Sequence, residues 1–229
     1  MSFLSSSVYL GVSISLLGYG IGYILKKKLK LALFNPLLIS IVFVIGFLLL
    51  TKIDYDTYYD GAKYLSYLLT PTTVCLAVPL YEQLSILKKN KWAILTGIFS
   101  GVLTALCSIL LLCRLFALSH TDYVTLLPKS ITTAIGMGVC EELGGSVTLT
   151  VAVIIITGIF GSIIAPFVCK LFHIHSPLAK GIAIGTASHA IGTSRAMEMG
   201  QVEGSASSLS IVIAGIMTVI GAGFFAQLY

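Results

Sequence analysis

Between Gly181 and Gly204 the chain reads GIAIGTASHAIGTSRAMEMGQVEG, and its polar side chains are of the kinds that hold an anion or move a proton. Ser188 and Thr193 offer hydroxyl donors, and His189 offers an imidazole that ordinarily titrates near neutral pH. Arg195 carries a planar guanidinium that can engage both oxygens of a carboxylate. Glu198, three residues on, can exchange a proton or pair with Arg195 on one helix face. Two other stretches repeat the theme: Thr70-Pro71-Thr72-Thr73, and Pro128-Lys129-Ser130 followed by Thr132 and Thr133. Proline prevents a regular helical turn before it. A helix restarting at Thr72 or Thr73, or after Ser130, would present free N–H groups and a positive dipole end to an anion. Lys129 adds a full positive charge. Each feature also has a plainer explanation. Threonines bond their own backbone at proline kinks, a lysine near an interface snorkels to water, Arg195 and Glu198 neutralise one another, and a lone histidine is commonly a satisfied core group.

Other chemistry finds no support. There is no P-loop, HExxH, GxSxG or dinucleotide fingerprint, so neither an enzyme nor a bound cofactor is expected. His173-Ile174-His175 lacks a nearby third ligand, and no metal site is expected. Cys75, Cys107, Cys113, Cys140 and Cys169 are scattered through apolar segments without a CxxC pair and read as small core residues.

The elements that must position these groups are membrane helices. Of the 229 residues 57% are hydrophobic and 10% charged, and mean hydropathy is +1.00. That places the chain among polytopic all-α membrane proteins, with the lipid bilayer as its first partner. The net charge of +5 comes mostly from lysines in short loops, a topogenic pattern that does not point to nucleic acid. Spans are expected over Val8–Leu25, from Asn35-Pro36 to Leu50, over Ala62–Leu87 with interruptions at Thr70–Thr73 and Pro79, and from Trp92 to Ala117. Further spans are expected over Val147–Val168, over Leu178–Met199 with a break near His189, and over Ser207–Tyr229. Thr121–Gly145 is either a short span or a re-entrant half-helix, giving eight spans or seven. The lysines of loops 26–30 and 88–91 place those loops in the cytoplasm and the N-terminus outside. Sliding the chain by 116 residues lays Thr72-Thr73 on Ser188-His189 and Glu82 on Glu198, which suggests repeat halves 1–117 and 121–229 within a single domain. In hydrocarbon a helix can break only inside protein or beside a wet cavity. The broken segments around Thr70–Thr73 and Gly185–Gly192 are therefore expected to meet near the midplane. The sequence leaves the oligomeric state open, a homo-oligomer included.

The stretches TPTTVCLAVPLYEQ, LLPKSITTAIGMGVCEELGG and KGIAIGTASHAIGTSRAMEMG, in that order and spacing, resemble the LrgB/CidB family of bacterial membrane proteins. The resemblance runs from about Asn35-Pro36 to the C-terminus, and the CEELGG and GTASHAIGT wording is closer to the CidB side. It implies a multi-pass protein of the bacterial plasma membrane, holin-like or antiholin-like, linked to control of murein hydrolases and cell lysis. It also implies a smaller LrgA/CidA-type partner. Relatives that move small carboxylates, including a plastid glycolate/glycerate carrier, imply a second role as a transporter of pyruvate-, glycolate- or glycerate-like anions. On that role Thr72, Thr73, Lys129, Thr132, Ser188, His189, Thr193 and Arg195 are the candidate substrate contacts, with His189 and Glu198 for proton coupling.

Overall fold

The structure, a computed structural model, describes residues 9–29, 34–75 and 77–229; the side chains of Leu69, Thr70, Thr73, Pro79 and Leu80 lie outside the description. The described residues are helical with no strand, and they divide into two compact units, Met1–Cys75 and Leu76–Tyr229.

In the first unit α1 (Leu10–Leu29) packs on α2 (Pro36–Thr51) and on the short α3 (Tyr55–Ala62). Asn35 caps α2, accepting from the N–H of Leu37 at 2.9 Å, with Pro36 in the first turn where its missing donor costs nothing. Gly18 and Gly22 let α1 lie against Ser40 and Pro36 of α2, and Ser40 donates to the Ser15 carbonyl at 3.2 Å. Gly20 touches no neighbouring element, so the glycine-bearing face is not uniform. A 3-10 helix over Lys63–Leu68 then leads into α4 (Leu69–Cys75). The expected restart at Thr72 or Thr73 is corrected. The helix begins at Leu69, and Pro71 sits in its first turn, where the N–H has no intrahelical acceptor anyway. Thr72 is exposed, and the side chain of Thr73 lies outside the described residues.

In the second unit the short helices α5 (Ala77–Glu82) and α6 (Leu84–Lys89) precede three long ones: α7 (Lys91–Leu115), α10 (Val147–Leu171) and α12 (Gln201–Ala226). Ala62–Leu87 is thus a series of short helices where one interrupted span was expected. The three long helices are the described ones long and apolar enough to cross a membrane. At 25 or 26 residues each rises about 37–39 Å, against about 30 Å of hydrocarbon. Between α7 and α10 lie α8 (His120–Leu126) and α9 (Thr133–Glu142), and between α10 and α12 lies α11 (Pro177–Met199). A run of buried apolar side chains from Leu87 through Ile94, Ile98, Val102 and Leu106 to Ala214 and Ala222 joins α7 to α12.

Candidate functional site

Both polar segments of the second unit are helical hairpins. The helix α11 is not continuous: Ser188 (φ −131°, ψ 15°) and His189 (φ 42°, ψ −140°) leave helical geometry, and the chain turns back on itself. A Cβ at Gly192 would lie 3.0 Å from Ile184 Cγ2, although eight residues of unbroken helix span about 12 Å. The first arm runs parallel to α12, with Gly181 against Glu203 and Gly185 against Ser207. The second arm runs antiparallel to it, with Thr193 against Ser207 and Met197 against Gly204. Both arms therefore open at the end of the bundle where α7 and α12 begin, which Lys88, Lys89 and Lys91 mark as the lysine end.

The stretch 120–145 is a hairpin from the other end. Tyr123 donates to the Phe225 carbonyl at 2.9 Å and stacks on Tyr229, fixing α8 beside the last turn of α12. The chain is then stapled where it returns. Thr125 Oγ1 accepts from the Ser146 N–H at 2.8 Å, and Thr150 donates to the Thr125 carbonyl at 2.8 Å. Residues 126–145 thus leave and re-enter at one place, and Gly136 of the return arm lies 3.6 Å, measured from an ideal Cβ, from Pro128 of the outgoing arm.

The tips of the two hairpins approach the middle of the same helices. Ile135, in the first turn of α9, reaches Gly215 of α12, and Ile154 of α10 meets Gly136. The carbonyl of Ile154 accepts from His189 Nε2 at 3.0 Å. Since a carbonyl only accepts, Nε2 carries the hydrogen, and Nδ1 is the ring nitrogen left to bind a proton or a donor. Gly158 and Gly161 give the second tip its room: an ideal Cβ at Gly158 would be 2.8 Å from the His189 ring, and one at Gly161 would overlap the Ser188 hydroxyl.

The candidate residues sort by depth in these hairpins. Lys129 lies in the turn of the first, donating from Nζ to Ser130 Oγ at 3.0 Å, flanked by buried Pro128, Ser130 and Ile131. Thr132 is the N-cap of α9, yet its side chain makes no capping bond, so that helix end keeps donors for another acceptor. Ser188 and His189, at 3% and 2% exposure, form the tip of the second hairpin. Thr193 is already engaged: it donates to the His189 carbonyl at 2.9 Å and shares a 2.7 Å bond with Ser207, tying the tip to α12. Arg195 lies two residues from Thr193 and so points to another side of the arm. It pairs with Glu198 at 2.6 Å, both side chains partly exposed, toward the open end of the hairpin. Thr72 and Thr73 belong to the first unit.

Sequence reasoning placed Ser130 and Thr186 inside polar motifs without counting them as contacts, and it passed over Ser207 and Thr125. Four serines in ten residues, Ser205, Ser207, Ser208 and Ser210, were the signal of a helix shielded on several sides; all four are buried in α12, which starts at Gln201, six residues before the expected span, and Ser207 meets the hairpin. The Thr186 hydroxyl is buried without a hydrogen-bond partner, on the arm face that meets Gly101 of α7.

A family model described as the LrgB-like family matches residues 15–228. The chain belongs to the LrgB-like family. Among curated relatives it is similar to the antiholin-like protein LrgB of Bacillus cereus (strain B4264) and to that of Bacillus anthracis (strain CDC 684 / NRRL 3495). Each is 34% identical over 213 residues, 93% of either chain. Those relatives carry the LrgB name rather than CidB. No solved structure matches the chain. Membership makes this an LrgB-like membrane protein rather than a member of a known enzyme family, and within it the two hairpins carry the motif residues GMGVCEELGG and GTASHAIGT.

Proposed function

We propose that this LrgB-like chain is a multi-pass protein of the bacterial plasma membrane that carries a small monocarboxylate of the pyruvate, glycolate or glycerate class, beside an LrgA/CidA-type partner. The observation behind this reading is the pair of opposed hairpins with polar tips. Discontinuous helices entering from opposite ends, with binding groups at the midplane, are the architecture of secondary transporters built from inverted repeats. The register agrees: α7 with the first hairpin and α10 with the second are offset by 56 residues from Lys91 to Val147 and by 57 from His120 to Pro177. On this reading each hairpin is re-entrant, the lysine end is cytoplasmic, and the 170–180 loop with Lys170 and Lys180 lies on the same side, in accord with the positive-inside rule. A carboxylate between the tips would meet the Lys129 ammonium, the free N–H groups at the start of α9, the Thr132 and Ser188 hydroxyls and the His189 imidazole. His189 Nδ1 would accept the coupled proton. Arg195 and Glu198 act on this reading as an ion pair that fixes the return arm.

Uptake of labelled pyruvate or glycolate into proteoliposomes, with and without the partner, tests the proposal. Lys129→Gln should lower affinity about ten- to a hundred-fold, the loss expected of one charge-assisted hydrogen bond of about 1.5–3 kcal/mol. Uptake unchanged by Lys129→Gln would remove the anion site from the first hairpin. The names of the relatives favour a second reading, an antiholin-like regulator of murein hydrolase activity that transports nothing. Absence of uptake for every small carboxylate, with lysis control intact in cells, would select it.

A further inference from the structure

Apart from the hairpins, the second unit holds a cavity of about 220 Å³ where α6, α7 and α12 meet at the lysine end. Leu87, Ile94, Leu209 and Ile213 line it, together with Lys88 and Lys91. Leu87 and Ile94 are buried, while both lysines are exposed. Lys88 closes the last turn of α6 and Lys91 opens α7, three residues apart across Asn90, and both side chains line the cavity. The neighbouring Trp92 fixes its depth. It is 71% exposed, has Lys91 Nζ 5.7 Å from its ring centroid, and is the amphipathic side chain that settles at the headgroup level of a bilayer.

An apolar cavity opening at that level beside two cations has the polarity of one kind of molecule: an anionic headgroup on a hydrocarbon chain. We propose that this cavity is a binding site for an anionic phospholipid of the leaflet at the lysine end, one acyl chain lying against Leu87, Ile94, Leu209 and Ile213 and the phosphate between Lys88 and Lys91. Charge complementarity selects this occupant over a neutral lipid, since basic pockets between membrane helices hold anionic headgroups. The site borders α12, against which both arms of the second hairpin pack, so an occupied cavity braces the helix to which Thr193 ties the tip.

Native mass spectrometry of the full chain, released from detergent with phosphatidylglycerol or phosphatidylcholine present, tests the site without recourse to transport. Discrete phosphatidylglycerol adducts should survive where phosphatidylcholine adducts do not. Lys88→Gln with Lys91→Gln should weaken phosphatidylglycerol binding about thirtyfold, as expected for two surface lysines. Ile213→Trp should close the cavity and remove the adduct while both lysines remain, and Lys27→Gln with Lys28→Gln should leave it intact. Equal retention of the two lipids, or unchanged phosphatidylglycerol binding in the Lys88/Lys91 double variant, would overturn the proposal. So would a Leu209→Cys variant that forms disulfide-linked dimers at saturating lipid, because the occupant would then be a second copy of the chain.

Discussion

Replacing Gly158 with alanine separates a reversed α11 from an unbroken one by the sign of the stability change. Alanine in the middle of a helix is better than glycine by about 0.8–1 kcal/mol, so an exposed or loosely packed Gly158 would gain stability from the change. In this structure the new methyl would lie 2.8 Å from Cε1 and Nε2 of His189 and 2.9 Å from Ile191 Cβ. Carbon contacts are optimal at about 3.5–4.0 Å, so the ring must retreat by well over half an ångström or the hairpin must lift from α10. Such overpacking typically costs about 1–3 kcal/mol, and displacing the ring also forfeits the 3.0 Å bond to the Ile154 carbonyl, worth about 1 kcal/mol net. The balance is a net loss of about 1–3 kcal/mol. Thermal unfolding of the purified protein in detergent measures it, and a cycle with His189→Ala assigns it. Deleting the ring removes most of the clash, so the double variant should be more stable than the sum of the single effects by about 1 kcal/mol or more. A Gly158→Ala protein that is more stable than the parent, with no coupling to His189, would show that the hairpin tip does not lie against α10.

Other measurements address the same geometry. Spin labels at Ala179→Cys and Met197→Cys, in a background without native cysteines, should lie within about 20 Å of one another, because Gly181 and Met197 both contact the Glu203–Gly204 turn; an unbroken helix would hold them about 27 Å apart. Arg195→Gln should change stability by less than about 1 kcal/mol, since its pair with Glu198 is partly exposed, and should alter substrate affinity far less than Lys129→Gln; a loss of uptake as large as that of Lys129→Gln would return Arg195 to the anion site.

What the sequence announced and what it withheld follow one physical line. Asn35-Pro36 names the start of α2 because cap and first-turn proline act through local backbone bonds. The break at His189 was legible because hydroxyls, glycines and an imidazole inside an apolar run are tolerated only where protein shields them. The direction of the chain after a break was not legible, because a kink and a reversal draw on the same residues. Contacts remote in sequence decide it: Gly185 on Ser207, Gly161 on Ser188, and Thr125 stapled to Ser146 and Thr150. Lys129 shows the same limit. Seventeen residues separate it from Ser146, and nothing local distinguishes a lysine at an interface from one at the tip of an inward excursion. The staple at Thr125 does.

The residue at the second tip is itself informative. His189 adopts φ 42° with ψ −140°, a conformation that glycine takes freely and that costs other residues about 1–3 kcal/mol. Gly185 and Gly192 lie within four residues, yet the turn falls on the histidine. Glycine would adopt this backbone without strain, so the strain carried by His189 supports the proposed reading of the imidazole as a group that meets substrate or proton, a function that tolerates such strain. Two substitutions divide the contributions. His189→Ala removes the bond to Ile154 and keeps the strained backbone, whereas His189→Gly removes the same bond and releases the strain. His189→Gly should therefore be more stable than His189→Ala by about 1 kcal/mol or more in detergent unfolding, while both variants lose coupled uptake alike. Equal stability of the two would mean that the backbone at position 189 is not left-handed, and full uptake by either would mean that the ring only fills space beneath Gly158.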